Sequence, residues 1–171
     1  MLILTNFRTK AAIASLLLIG ALSANAEEVS DELYGILSIN VSNTHYTAVV
    51  KDTSAELIEN YQSSEPDDTN NLFYKAYLVK TEIIDVVHGE LPKFIEIIAQ
   101  QLAFKDYTVS LKPYLLSFCK TPGGKYYVPE NLTRAKATPA IIRAAKELAS
   151  ELPKDESTPC ISNTKRFVPA D

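Results

Sequence analysis

The chain has 171 residues, 46% of them hydrophobic, with 17 Lys and Arg against 21 Asp and Glu and a formal net charge of −4. That balance, with no basic cluster to offset it, repels phosphate backbones and argues against a nucleic-acid ligand. The length suits one domain able to bury a core.

The N-terminus carries Arg8 and Lys10, an apolar run over residues 11–22, and then Ala24-Asn25-Ala26. This order predicts a secretory signal cleaved after Ala26. The apolar run is too short to cross hydrocarbon as a helix, and small residues stand where a signal peptidase reads. No cysteine follows the run, so no lipid anchor is expected; an uncleaved N-terminal anchor is the alternative. Cleavage leaves residues 27–171, with 15 basic against 21 acidic side chains once Arg8 and Lys10 are gone. The expected product is periplasmic or secreted and has no transmembrane anchor. Its two cysteines, Cys119 and Cys160, are the only ones in the chain. In an oxidising compartment an isolated pair predicts one disulfide, whereas a redox pair would want Cys-x-x-Cys spacing.

Residues 27–45 read as a lead-in. Ser30 is a candidate cap for a short helix with Leu33, Ile36 and Leu37 on one face, yet Leu37, Ile39 and Val41 also alternate as in a strand. With Gly35 weakening the helix, the reading is a short helix or irregular segment passing to a strand near Leu37. Residues 45–51 are a better strand, rich in β-branched and aromatic side chains. Residues 54–61 suggest a helical turn through Leu57, Ile58 and Tyr61. Residues 62–71 are a polar loop whose Glu65-Pro66-Asp67-Asp68 lacks the alternating acids and glycine of a calcium-binding loop.

The long run over 73–87 predicts a strand that twists or bulges, His88-Gly89-Glu90-Leu91-Pro92 a turn, and 94–99 the returning strand. A short strand is expected at Thr108-Val109-Ser110 and a strong one over 114–119. Thr121-Pro122-Gly123-Gly124 is a hairpin loop with 125–129 coming back beside it. Thr138 caps a helix with Pro139 at its first position and an apolar stripe of Ile141, Ile142, Ala145, Leu148, Ala149 and Leu152, which Pro153 stops. The tail 153–171 is expected to be tied back through Cys160.

Val79, Ile83, Val86-Val87-His88-Gly89, Pro92 and the strand over 94–98, followed by Tyr114-Leu115-Leu116-Ser117-Phe118, a hairpin and Tyr126-Tyr127, resemble the core of TIMP-like (netrin-module-like) OB-fold domains. The resemblance spans residues 46–152. It implies a mainly β, α+β fold: a small OB-like antiparallel barrel plus a C-terminal amphipathic helix. Two departures stand out: His88 replaces the usual lysine of the turn, and Lys112-Pro113 stands where a glycine is usual. Animal metalloprotease inhibitors of this type grip zinc through an N-terminal cysteine. The predicted mature start here is Glu27-Glu28-Val29, so that mechanism does not carry over.

No nucleophile elbow, phosphate loop, dinucleotide fingerprint or His-Glu-x-x-His occurs. His45 and His88 are the only imidazoles, and spacing identifies no third ligand for a metal. No cofactor or metal is expected. Tyr74, Tyr77, Tyr114, Tyr126 and Tyr127 are a candidate binding face on a concave β surface, with core packing as the alternative. The expected function is a non-enzymatic exported protein that binds another envelope or extracellular protein, of inhibitor or immunity type. The competing expectation is a small envelope hydrolase using His45, His88 and the acidic loop.

Overall fold

The β-branched run that follows His45 opens a strand far longer than its apolar part. A computed structural model describes residues 28–62, 73–129, 134–152 and Cys160. The predicted signal, the acidic loop with Glu65-Pro66-Asp67-Asp68, and the tail other than Cys160 lie outside these residues. The elements in order are α1 (Asp31–Ser42), β1 (Tyr46–Gln62), β2 (Phe73–His88), β3 (Phe94–Leu102), β4 (Tyr114–Lys120), β5 (Tyr126–Tyr127), β6 (Ala135–Lys136) and α2 (Pro139–Ser150). Among the described residues the chain is mainly β with two helices, an α+β arrangement. No helix among the described residues is long and apolar enough to cross a membrane.

Three expectations need correction. Residues 31–42 are helical throughout, with no strand near Leu37. The Ser30 side chain accepts from the Leu33 amide, and Leu37 and Val41, one turn apart, are buried. Residues 54–61 are strand, because the segment pairs with β2 from Ser54 opposite Lys80 to Tyr61 opposite Tyr74, with Ile58 bulging out of the register. Thr108-Val109-Ser110 forms no strand. Ser110 instead meets β1 through its carbonyl, which accepts from the Asp52 amide at 3.1 Å.

β1 and β2 form a long antiparallel hairpin with register shifts at four places, the bulging that so long a strand requires. β2 pairs antiparallel with β3, β3 parallel with β5, and β5 antiparallel with β4. β4 then pairs antiparallel with β1, from Tyr46 opposite Phe118 to Val50 opposite Tyr114. Followed in this order the pairings return to the strand where they began, and β6 adds to β4.

Strand alternation sorts the core into two layers. On the inner face Tyr46, Ala48, Val50, Ile83, Ile95, Ile97, Tyr114, Leu116 and Phe118 pack together. On the outer face Val49 and Leu115 meet Leu37 and Val41 of α1 and Ile141, Ala144, Ala145 and Ala149 of α2. Thr138 caps α2 as expected, accepting from the Ile141 amide. Its small buried alanines let the helix sit close, and each large side chain so buried contributes about 1.5–3 kcal/mol. A second outer cluster gathers Ile98, Cys119 and Tyr127, with Leu78 and Cys160 against it. Cys119 and Cys160 form a disulfide with Cα atoms 6.1 Å apart.

The turn after β2 depends on its glycine. Gly89 has φ of +81°, and a Cβ there would lie 2.5 Å from Cδ1 of Tyr46 and 3.0 Å from the His45 carbonyl oxygen. Tyr46 cannot yield, because its buried ring stacks on Phe118 at 5.5 Å and meets Tyr126 edge-on at 5.5 Å. Gly89→Ala is therefore expected to cost about 2–4 kcal/mol from left-handed backbone strain plus overpacking. Urea unfolding of the variant against the parent checks this.

Candidate functional site

Alternation along β1 puts Tyr46, Ala48, Val50 and then Asp52 on the inner face. Asp52 is therefore carried indoors by the strand, and its exposure is 0%. A buried carboxylate must be hydrogen-bonded or paired, and here it is both. It accepts from the Tyr114 hydroxyl at 2.5 Å, the Tyr107 hydroxyl at 3.1 Å and the Ser110 amide at 3.0 Å. Arg134 brings Nη1 to 3.7 Å of the same carboxylate and lies over the rings of Tyr107 and Tyr114, at 4.6 and 4.8 Å from their centroids. Arg134 Nη2 also donates to the Tyr107 hydroxyl. Burial, above all, pushes the Tyr107 phenol up to about 12, with Arg134 pulling down and Asp52 pushing up; burial also raises Tyr114. The carboxylate takes one hydrogen bond at Oδ1 and two at Oδ2, which lock β1 to Tyr107, Ser110 and Tyr114.

The lock sits where β4 leaves β1. Beyond Asp52, β1 continues with β2 and β3 as a three-stranded arm. Its inner side is supported by Tyr77, Val79 and Ala99, against which Ala55 and Tyr107 pack. Lys75 and Asp106, 2.7 Å apart, join β2 to the loop after β3. Several apolar side chains on the arm are left in solvent: Leu57 is 45% exposed, Ile58 46% and Phe73 58%. Phe104 is exposed as well, and the Ala103 amide before it donates to the Phe73 carbonyl at 2.8 Å. Sequence reading missed this group because Leu57 and Ile58 were given to a helical turn.

The five tyrosines of the candidate binding face do not share a face. Tyr74 and Tyr77 lie three positions apart on an unbroken register with β3, so they point to opposite sides. Tyr114 and Tyr126 belong to the inner cluster, and Tyr127 to the outer one. Tyr74, Tyr77, Tyr114 and Tyr127 are buried and Tyr126 half-buried. Packing in two layers, not an open groove, is what these rings do.

The structure does bring the two histidines together. Thr47 pairs with His88, and His45 lies two positions before Thr47, just ahead of β1. Both line a cleft of about 640 Å³ between the β1–β2 end of the sheet and α2, with Val86, Glu90, Lys146 and Ser150. His88, expected in the turn, is half-buried as the last residue of β2, where it still pairs with Thr47. His45 accepts from the Lys120 amide at Nδ1, 3.2 Å away, which leaves its proton on Nε2. Lys146 is held by Asp85 at 2.8 Å. Among the described residues no three His, Cys, Asp or Glu are grouped to hold a metal ion.

Burial lowers His88 below the ordinary imidazole value of 6.5. A depressed histidine favours the neutral form in the fold, so its contribution to stability is complete above pH 6.5 and is lost as pH falls towards the folded-state value. An NMR titration of the ring carbons should give His88 a midpoint below 6.5. His88→Gln should flatten the acid limb of the stability curve in that window. Compared with known protein families and with curated proteins, the chain matches none.

Proposed function

We propose that this is an exported, non-enzymatic binding protein of the cell envelope, an inhibitor- or immunity-type partner of another protein at the envelope or outside the cell. The scaffold on this reading is an OB-like barrel of the TIMP-like kind. Its support is the circuit of pairings through β1, β2, β3, β5 and β4 back to β1, with α2 docked on the outer face. A disulfide fits an oxidising compartment, in keeping with the signal-like N-terminus.

The observation that carries the reading is the arm, where Leu57, Ile58 and Phe73 stand in solvent on strands braced by the Asp52 lock. Exposed apolar side chains on one hairpin, Leu57 and Ile58 of β1 and Phe73 of β2, offer apolar contact area to a partner. The test is capture from an envelope extract by the mature chain. One stoichiometric protein is expected. Leu57→Ser/Phe73→Ser should lose it, while His45→Ala/His88→Ala should keep it.

One observation favours a second reading, a small envelope hydrolase: His45 and His88 meet in the same cleft with Glu90 and Ser150. Loss of a hydrolytic activity in His45→Ala/His88→Ala, with the fold intact, would favour it over the first.

A further inference from the structure

β1 is bordered on both sides only in its first part. Through Val50 it lies between β2 and β4, and the Asp52 amide makes the last backbone hydrogen bond on the β4 side. From Thr53 to Asn60 all its strand pairing is with β2, so among the described residues the other edge offers unused amides and carbonyls. Natural sheets blunt such edges with charged side chains, lysine above all, with proline, with bulges or with a covering segment. Residues 53–60, Thr-Ser-Ala-Glu-Leu-Ile-Glu-Asn, contain neither lysine nor proline.

The side chains on this edge form a pattern. Glu56 pairs with Leu78, and after the register shift at Ile58, Glu59 pairs with Ala76. Leu78 and Ala76 share a face of β2, so the bulge brings Glu56 and Glu59 to the same side. Both are exposed, and neither has an ion-pair partner among the described residues. The lysines of β2 in this register are engaged elsewhere, Lys75 with Asp106 and Lys80 with Glu96. Leu57, opposite Tyr77, shows an exposed apolar surface on the other side.

We infer that the outer edge of β1 from Thr53 to Asn60 accepts an extended basic segment of another polypeptide as an added strand. Main-chain hydrogen bonds would supply the pairing, and alternate side chains the selection. The segment that fits has basic residues two positions apart, facing Glu56 and Glu59, with an apolar residue between them against Leu57. A second copy of this chain is a poor occupant, since β1 against β1 sets glutamates of the two copies near one another, and like charges across strands repel. The chain's negative balance steers basic segments inward as well. The inference rests on the binding-protein reading and names the surface that reading uses.

The probe is acetyl-Lys-Val-Lys-Val-Lys-Val-Lys-amide added to the mature protein, with amide hydrogen exchange read across residues 53–60. Slower exchange there is expected. The same peptide with all interior amides N-methylated should give none, and Glu56→Lys/Glu59→Lys should weaken binding of the unmethylated peptide about tenfold. Unchanged exchange over 53–60 overturns the inference, as does equal binding of the methylated peptide. Concentration-dependent protection of this edge without peptide also overturns it, in favour of a second copy. If the double variant still captures the envelope partner, the edge is not the docking strand and the binding-protein reading stands; loss of capture in a folded variant supports the edge.

Discussion

Asp52→Ala is expected to be the most damaging single substitution in the chain, lowering stability by about 3–5 kcal/mol. It strands three donors at once: the Tyr107 and Tyr114 hydroxyls and the Ser110 amide, all within 3.1 Å of the carboxylate. It also removes the counter-charge of Arg134, whose side chain is only 32% exposed. In a chain of this size that loss corresponds to a melting-temperature drop of roughly 10–20 °C. Tyr114→Phe removes one donor and leaves the others, so about 1–3 kcal/mol is expected. Thermal and urea melts of the two variants check the order. The buried phenols add an alkaline limb. Tyr107, pushed up to about 12, and Tyr114, also raised, stay protonated in the fold after unfolded tyrosines ionise. Their share of stability is complete below about pH 10 and falls as pH rises beyond it. Ultraviolet titration should show these two phenols ionising last.

The disulfide carries the second large effect. Cys119 and Cys160 are 41 positions apart, and closing such a loop stabilises a fold by about 4 kcal/mol in the chain-entropy account. Packing adds to this. Cys119 is fully buried among Ile98 and Tyr127 on the outer face, and Cys160 packs against the same cluster with its Sγ 3.5 Å from the Asn43 carbonyl oxygen. Reduction, or Cys119→Ala/Cys160→Ala, is expected to lower the urea midpoint by the equivalent of about 2–5 kcal/mol. Thiol titration of the unreduced protein, native and then denatured, should find no free sulfhydryl. Two free thiols would remove the staple.

How far the residues disclosed this structure depended on whether local pattern and pairing agreed. α2 was legible because Thr138, Pro139 and the stripe through Ala149 all report the same helix. β2, β3 and β4 were legible for the same reason, apolar runs closed by Gly89, Pro92 and the Gly123-Gly124 turn. α1 was ambiguous because residues 33–41 satisfy both periods, and packing against α2 decides for the helix. The far half of β1 was misread because Leu57 and Ile58 stand in solvent, leaving no alternation to see; a partner strand, not burial, makes it a strand.

The Asp52 lock was half visible. Parity after Tyr46, Ala48 and Val50 points Asp52 inward, but nothing local marks Arg134, far off in sequence, as its partner. The histidine pair was hidden in the same way, since it depends on the β1–β2 register. The tyrosines left a binding face and core packing both open. Abundance suggested one face, yet alternation sends Tyr126 inward and Tyr127 outward although they are neighbours.

Amide hydrogen exchange of the mature protein with and without its captured envelope partner tests the binding reading most directly. Added protection over residues 53–61 and 73–78, with the cleft unchanged, is the predicted result. Protection gained instead at His45, at 86–90 and at 146–150 would contradict it and move the function to the histidine cleft.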